Sequence, residues 1–213
     1  MPSLVGSEMC IRDRFLFWTL TLLLKKMPGF NTLETSTDAI GLFGSAAVGA
    51  LAFCFSDSFW FNAVEAEVYA MATCILSLLF WLSLRWEQEM NTPRGDRWLL
   101  LISFIIGLSF GVHFMGLLTI PAIGMLYYFK NTKTVTLKGF LIANIVSVAV
   151  LLFIFKLLLP LTLTLFGKME VYFVNNLGFS FNSGTIFTTL LLLGFFRYTL
   201  SFTHKKNYVN LNT

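Results

Sequence analysis

Trp98–Phe129, WLLLISFIIGLSFGVHFMGLLTIPAIGMLYYF, is a run of 32 residues without one Asp, Glu, Lys or Arg. As a single α-helix it would be about 48 Å long, against roughly 30 Å of hydrocarbon in a bilayer. Tilt alone would need roughly 50°, beyond the roughly 0–40° that transmembrane helices adopt. The run therefore reads as two short helices broken near Gly111-Val-His113, with a kink at Pro121. Arg94 and Arg97 precede it, and Lys130, Lys133 and Lys138 follow it. Both ends thus want the cytoplasmic side, which requires an even number of crossings. The fold class is all-α, a multi-pass transmembrane helical bundle.

Composition agrees. The chain is 56% hydrophobic and 12% charged, with a mean hydropathy of +0.75; a soluble domain carries about 25% charge. The net charge of +4 would suit a nucleic-acid partner. Its basic residues are instead split among short segments flanking apolar runs, which is topology signalling, so the expectation is no nucleic acid. Cys10, Cys54 and Cys74 show no metal spacing, and the latter two read as small apolar residues rather than a redox pair.

Working outward, residues 1–14, MPSLVGSEMCIRDR, lack the basic start, apolar middle and cleavage site of a signal peptide. They are similar to a translated sequencing adapter and are expected to be a non-native leader. Phe15–Leu24 is half of the ~20 residues a span needs, and reads as the end of a helix whose beginning is missing. Asp38 is the expected N-cap of a helix over Ala39–Phe55. Gly41, Gly44, Ala46, Gly49 and Ala50 on it suit close packing between membrane helices. A helix over Val68–Leu84 is followed by the polar loop Arg85–Arg97. Gly139–Phe155 reads as a further span, and Leu157–Phe166, interrupted by Pro160, as an interfacial segment. An Asn-rich loop over Gly167–Ser183 comes before the last span, Gly184–Leu200. The domain reading is a leader over 1–14, a transmembrane domain of six or seven helices over 15–200, and a cytoplasmic polar tail over 201–213. Lys25, Lys26, the Arg85–Arg97 loop and the Lys130–Lys138 loop share one face. The acidic stretch around Glu67, His113 and the Asn-rich loop share the other.

That acidic stretch, FSDSFWFNAVEAEVYAMAT over Phe55–Thr73, carries the candidate chemistry. Asp57, Glu65 and Glu67 have no Lys or Arg near them in sequence, since none occurs between Lys26 and Arg85. Burying such acids in lipid costs roughly 3 kcal/mol each, so an interfacial or wet position is expected, with Trp60 and Tyr69 at that depth. A carboxylate there can act as a general base on a hydroxyl. The residue types leave other roles open. Glu65, Glu67, Asp57 and His113 could ligate a divalent ion, but Glu-x-Glu spacing sets the two carboxylates about 200° apart on a helix; no metal is assigned. His113 reads equally well as a neutral histidine bonding a helix break. A multi-pass transporter with an acidic vestibule and a structural membrane protein are the competing classes.

FSDSFWFNAVEAEVYAMAT and RWLLLISFIIGLSFGVHFMGLLTIPAI (Arg97–Ile123) resemble the domain of unknown function 2723 family, which includes the transmembrane protein 260 group. VYFVNNLGFSFNSG and FLFWTLTLLLKK are supporting matches, so the resemblance extends over Phe15–Leu200. It implies a GT-C-like membrane glycosyltransferase, here truncated at both ends. Such an enzyme transfers a sugar such as mannose from a polyprenyl-phosphate donor to protein Ser or Thr hydroxyls on the non-cytoplasmic side. The implied partners are the bilayer, the lipid-linked donor and an acceptor protein, and the implied location is the bacterial inner membrane. Glu67 and Glu65 carry over as the catalytic carboxylates. Asp57, Trp60, Asn62, Tyr69, His113 and Asn175 carry over as substrate-binding. The family's earlier acidic loop and its His-Pro-Pro-Gly-Tyr-Pro-type segment have no counterpart here, so this chain is expected to lack the principal base.

Overall fold

The computed structural model describes residues 2–64, 68–92 and 94–205, and among these residues regular structure is helical throughout. Two compact units divide the chain, Met1–Ala143 and Asn144–Thr213. Four helical segments are long and apolar enough to cross a membrane: Ser36–Cys54, Tyr69–Glu89, Leu137–Asn176 and Ser183–Thr203. The protein is an all-α, multi-pass integral membrane protein.

In the first unit α1 (Pro2–Leu24) and α2 (Ser36–Cys54) form a hairpin. α1 passes unbroken through residues 14 and 15, where the sequence suggested a join. The N-cap of α2 is Thr35, not Asp38, and the helix starts at Ser36 rather than Ala39. Thr35 Oγ1 accepts from the Asp38 amide at 3.2 Å, and the Thr35 amide donates to Asp38 Oδ2 at 2.9 Å. Asp38 is thus the reciprocal member of a capping box, three residues inside the helix. The small residues of α2 pack as expected along Leu42, Ala46 and Ala50, all buried. A side chain at Gly49 would meet Leu20 Cδ1 at 3.0 Å, whereas Gly44 faces open space.

The expected acidic loop contains a short helix, α3 (Asp57–Val64), before α4 (Tyr69–Glu89). α4 is the axis of this unit, packed on α1, on α5 (Gly95–Ser109) and on α6 (Thr119–Asn131). Leu79, Leu82, Trp86 and Ile102 make the buried cluster between α4 and α5. α4 also absorbs Arg85–Glu89, read from sequence as loop, because these residues favour helix and find partners on neighbouring elements. The apolar run breaks where its length demanded, at Phe110–His113, followed by a 3₁₀ turn over Phe114–Leu118. Pro121 does not kink a helix. It lies in the first turn of α6, where an amide N–H would have no helical acceptor anyway.

Helix is continuous over Leu137–Asn176, 40 residues. It comprises α7 (Leu137–Phe153), a π turn over Ile154–Leu158, α8 (Leu159–Val171) and a second π turn over Tyr172–Asn176. The interruption expected at Pro160 does not occur. The π turn shifts the hydrogen-bond register just before the proline, which then occupies a first-turn position of α8 that needs no donor. α9 (Ser183–Lys205) closes a hairpin with α8 in the second unit.

Candidate functional site

Tyr69 and His113 lie 44 residues apart and meet at the α4 N-terminal end of the first unit. Their ring centroids are 5.5 Å apart at 46°. Tyr69 opens α4 and is half-buried; His113 ends the chain break after α5. His113 Nδ1 accepts from the Met115 amide at 3.2 Å, capping the 3₁₀ turn. That bond requires Nδ1 to be unprotonated and puts the ring proton of the neutral form on Nε2. So the structural role weighed for His113 is present, and the ring still reaches Tyr69.

The break is held by close packing. Ser109 and Thr119 are buried and donate back to the Ile106 and Gly116 carbonyls, at 2.6 and 2.7 Å. A Cβ on Gly116 would come within 2.3 Å of Ser109 Oγ and 2.8 Å of Ser109 Cβ. Only glycine lets the turn approach α5 this closely.

α3 covers the same end. Asp57 and Trp60 are exposed, and Trp60 keeps 53% of its surface. Phe59 is buried against Phe53, with centroids at 5.3 Å, and the Arg12 guanidinium lies 3.2 Å from the Phe59 ring centre. Arg12 also pairs with Asp13. Glu65 and Glu67, the expected catalytic pair, lie outside the described residues, between the end of α3 and Val68; the side chain of Asn62 is likewise outside them. Asn175 is exposed in the π turn after α8, in the other unit. The structure thus brings Tyr69 and His113 together and sets Asp57 and Trp60 on the adjoining α3.

The opposite end of the unit gathers basic side chains, as the charge pattern anticipated. Lys26 Nζ lies 2.5 Å from Glu87 Oε2, and Lys130 Nζ lies 3.6 Å from Glu87 Oε1. One buried carboxylate on α4 therefore ties together the α1–α2 connection and the end of α6. Trp98 Nε1 donates to Glu89 Oε2 at 2.9 Å, and Arg85 pairs with Glu89 at 3.6 Å. Sequence reasoning treated these acids as loop. Their four- and nine-residue spacings to Arg85 and Trp98 were the available signal for the second group; nothing local pointed to Lys26 or Lys130.

Glu170 was also missed. From α8 it accepts the Asn182 amide at 2.6 Å, the Thr185 amide at 2.8 Å and the Thr185 hydroxyl at 2.9 Å. Its carboxylate caps α9 across the loop. In a stretch read as an Asn-rich loop it carried no local signal of that partner.

These features define a polytopic helical membrane protein with a polar, aromatic helix break at one end of its first bundle and a basic cluster at the other. The family model for the protein O-mannosyl-transferase TMEM260 N-terminal domain matches residues 3–136, and the chain belongs to that family. It is a glycosyltransferase-like membrane protein. The match starts within the 1–14 segment set aside on sequence grounds and ends before VYFVNNLGFSFNSG, which lies outside it. No curated protein and no solved structure matches the chain. The family name is a eukaryotic one and lends no support to the bacterial inner membrane expected from sequence.

Proposed function

We propose that this chain is the membrane domain of an O-mannosyltransferase-type enzyme. It takes a sugar, in the first instance mannose, from a polyprenyl-phosphate donor to protein Ser or Thr hydroxyls on the non-cytoplasmic side. Glu67, with Glu65, serves as the carboxylate that binds and orients the acceptor or donor. Tyr69, His113, Asp57, Trp60 and Asn62 contribute to binding. The reading rests above all on the Tyr69–His113 contact. It joins the segment bearing the two glutamates to the helix break, at the end of the unit away from the lysines. His113 Nε2–H is a donor beside a phenol at that end, suited to a sugar hydroxyl or a phosphate oxygen.

Glu67→Gln in a family member carrying the same two segments lowers mannosyl transfer about 100-fold or more with normal membrane insertion, measured with radiolabelled donor in isolated membranes. Unchanged transfer removes Glu67 from the site. The interrupted helix also fits a transporter, whose sites use broken helices. Solute uptake into proteoliposomes without sugar transfer selects that reading instead.

A further inference from the structure

The basic end of the first unit contains a two-part cleft. One part, about 390 Å³, is lined by Arg85, Arg94, Arg97, Glu89, Trp98 and Leu101. The other, about 380 Å³, shares Arg85 and Trp98 and is walled by Trp18, Leu22 and Trp81. The first is cationic and the second aromatic and aliphatic, so the occupant they fit is an amphiphile.

The charge state of the cationic part follows from its hydrogen bonds. Its one carboxylate, Glu89, already accepts from Trp98 Nε1 and faces Arg85. Arg85 also donates to Gln88 Oε1 at 3.1 Å and lies 5.8 Å from the Trp98 ring centre. Arg94 and Arg97, in contrast, have no hydrogen-bond or ion-pair partner for their guanidinium groups among the described residues. Three guanidinium groups against one engaged carboxylate leave two positive charges in the lining. Asp96, exposed on the first turn of α5, is outside the lining. The nearby Glu87 is taken up by Lys26 and Lys130. Guanidinium forks match phosphate oxygens two at a time, and tryptophans beside them mark headgroup depth.

We infer that this cleft binds the phosphate headgroup of an anionic membrane lipid, with Arg94 and Arg97 on the phosphate and Trp18, Leu22 and Trp81 against the glycerol and upper acyl chain. The apolar half selects a lipid over a soluble phosphate. The site lies at the end of α4 opposite Tyr69 and His113, so it is separate from the transfer site proposed above and does not depend on it.

The test uses the full chain in nanodiscs of phosphatidylcholine with a minority of brominated phosphatidylglycerol, read by quenching of tryptophan fluorescence. Wild type shows stronger quenching by brominated phosphatidylglycerol than by brominated phosphatidylcholine. R94Q/R97Q weakens the phosphatidylglycerol preference about 30-fold, each arginine near the surface counting for about five-fold. K133Q/K138Q removes the same charge from the same end and leaves the preference intact. Equal loss in the two variants, or no preference in wild type, overturns the proposal. So does displacement of the brominated lipid by inorganic phosphate, which would make the ligand a soluble anion.

Discussion

At the end of α4 that carries Glu87, two lysines from distant parts of the chain converge on one buried carboxylate. At the end that opens with Tyr69, Arg12 pairs only with its neighbour Asp13 on the same helix, the Tyr69 and His113 side chains meet a ring and backbone, and Asp57 has no ion-pair partner among the described residues. The first end is cross-linked by charge; the second is closed by shape, through Gly116 against Ser109. A charge-linked end keeps three helices in register while the other end retains polar groups that can turn to a substrate. The bundle is braced where chemistry is not proposed and left polar where it is.

The contrast can be broken at either end. The largest effect is expected from Gly95→Ala at the first residue of α5, where a Cβ would meet the Met90 backbone at 2.6–2.9 Å. Backbone cannot rotate aside, so about 3 kcal/mol is lost, read as a fall in the thermal unfolding midpoint in micelles. Gly116→Ala follows at about 2 kcal/mol. Ser109→Gly partly restores it and Ser109→Ala does not, because the Ser109 Cβ is itself in the way at 2.8 Å. Glu87→Gln costs about 1–2 kcal/mol by exchanging two charge-assisted contacts for neutral ones. Lys26→Gln or Lys130→Gln alone costs less than that, since the other lysine remains.

The smallest stability effects belong to the polar end. His113→Asn keeps an acceptor for the Met115 amide and changes stability by under about 0.5 kcal/mol, while His113→Ala loses the cap and about 1 kcal/mol. If the ring serves the site, both variants lose transfer activity equally despite their different stabilities. Activity that follows stability instead would leave His113 as a cap only.

The sequence disclosed the bundle because membrane length limits are strict: Trp98–Phe129 could not be one helix, and Phe110–His113 is where it breaks. Charge flanks likewise located the end at which Lys26 and Lys130 meet. Features set by distant partners were not visible. The N-cap was misplaced by three residues because Asp38 and Thr35 are both good N-cap types, and only the bond directions separate them. Pro160 looked like an interruption because a π turn leaves no mark in residue type. Of the candidate site, Tyr69 and His113 were legible as same-end residues, whereas their contact depends on how the Gly116 turn folds onto α5.

Glu170 bears on how the second unit is held together. Its carboxylate accepts from groups at Asn182 and Thr185, at the start of the following helix. With α8 formed alone, that carboxylate would lack these donors and turn to water instead. A side chain on Gly184 would strike the Met169 carbonyl at 2.4 Å, so the two helices also touch there backbone to backbone. The turn is thus clasped twice, once by a carboxylate reaching forward and once by a missing side chain, and α8 and α9 act as one hairpin.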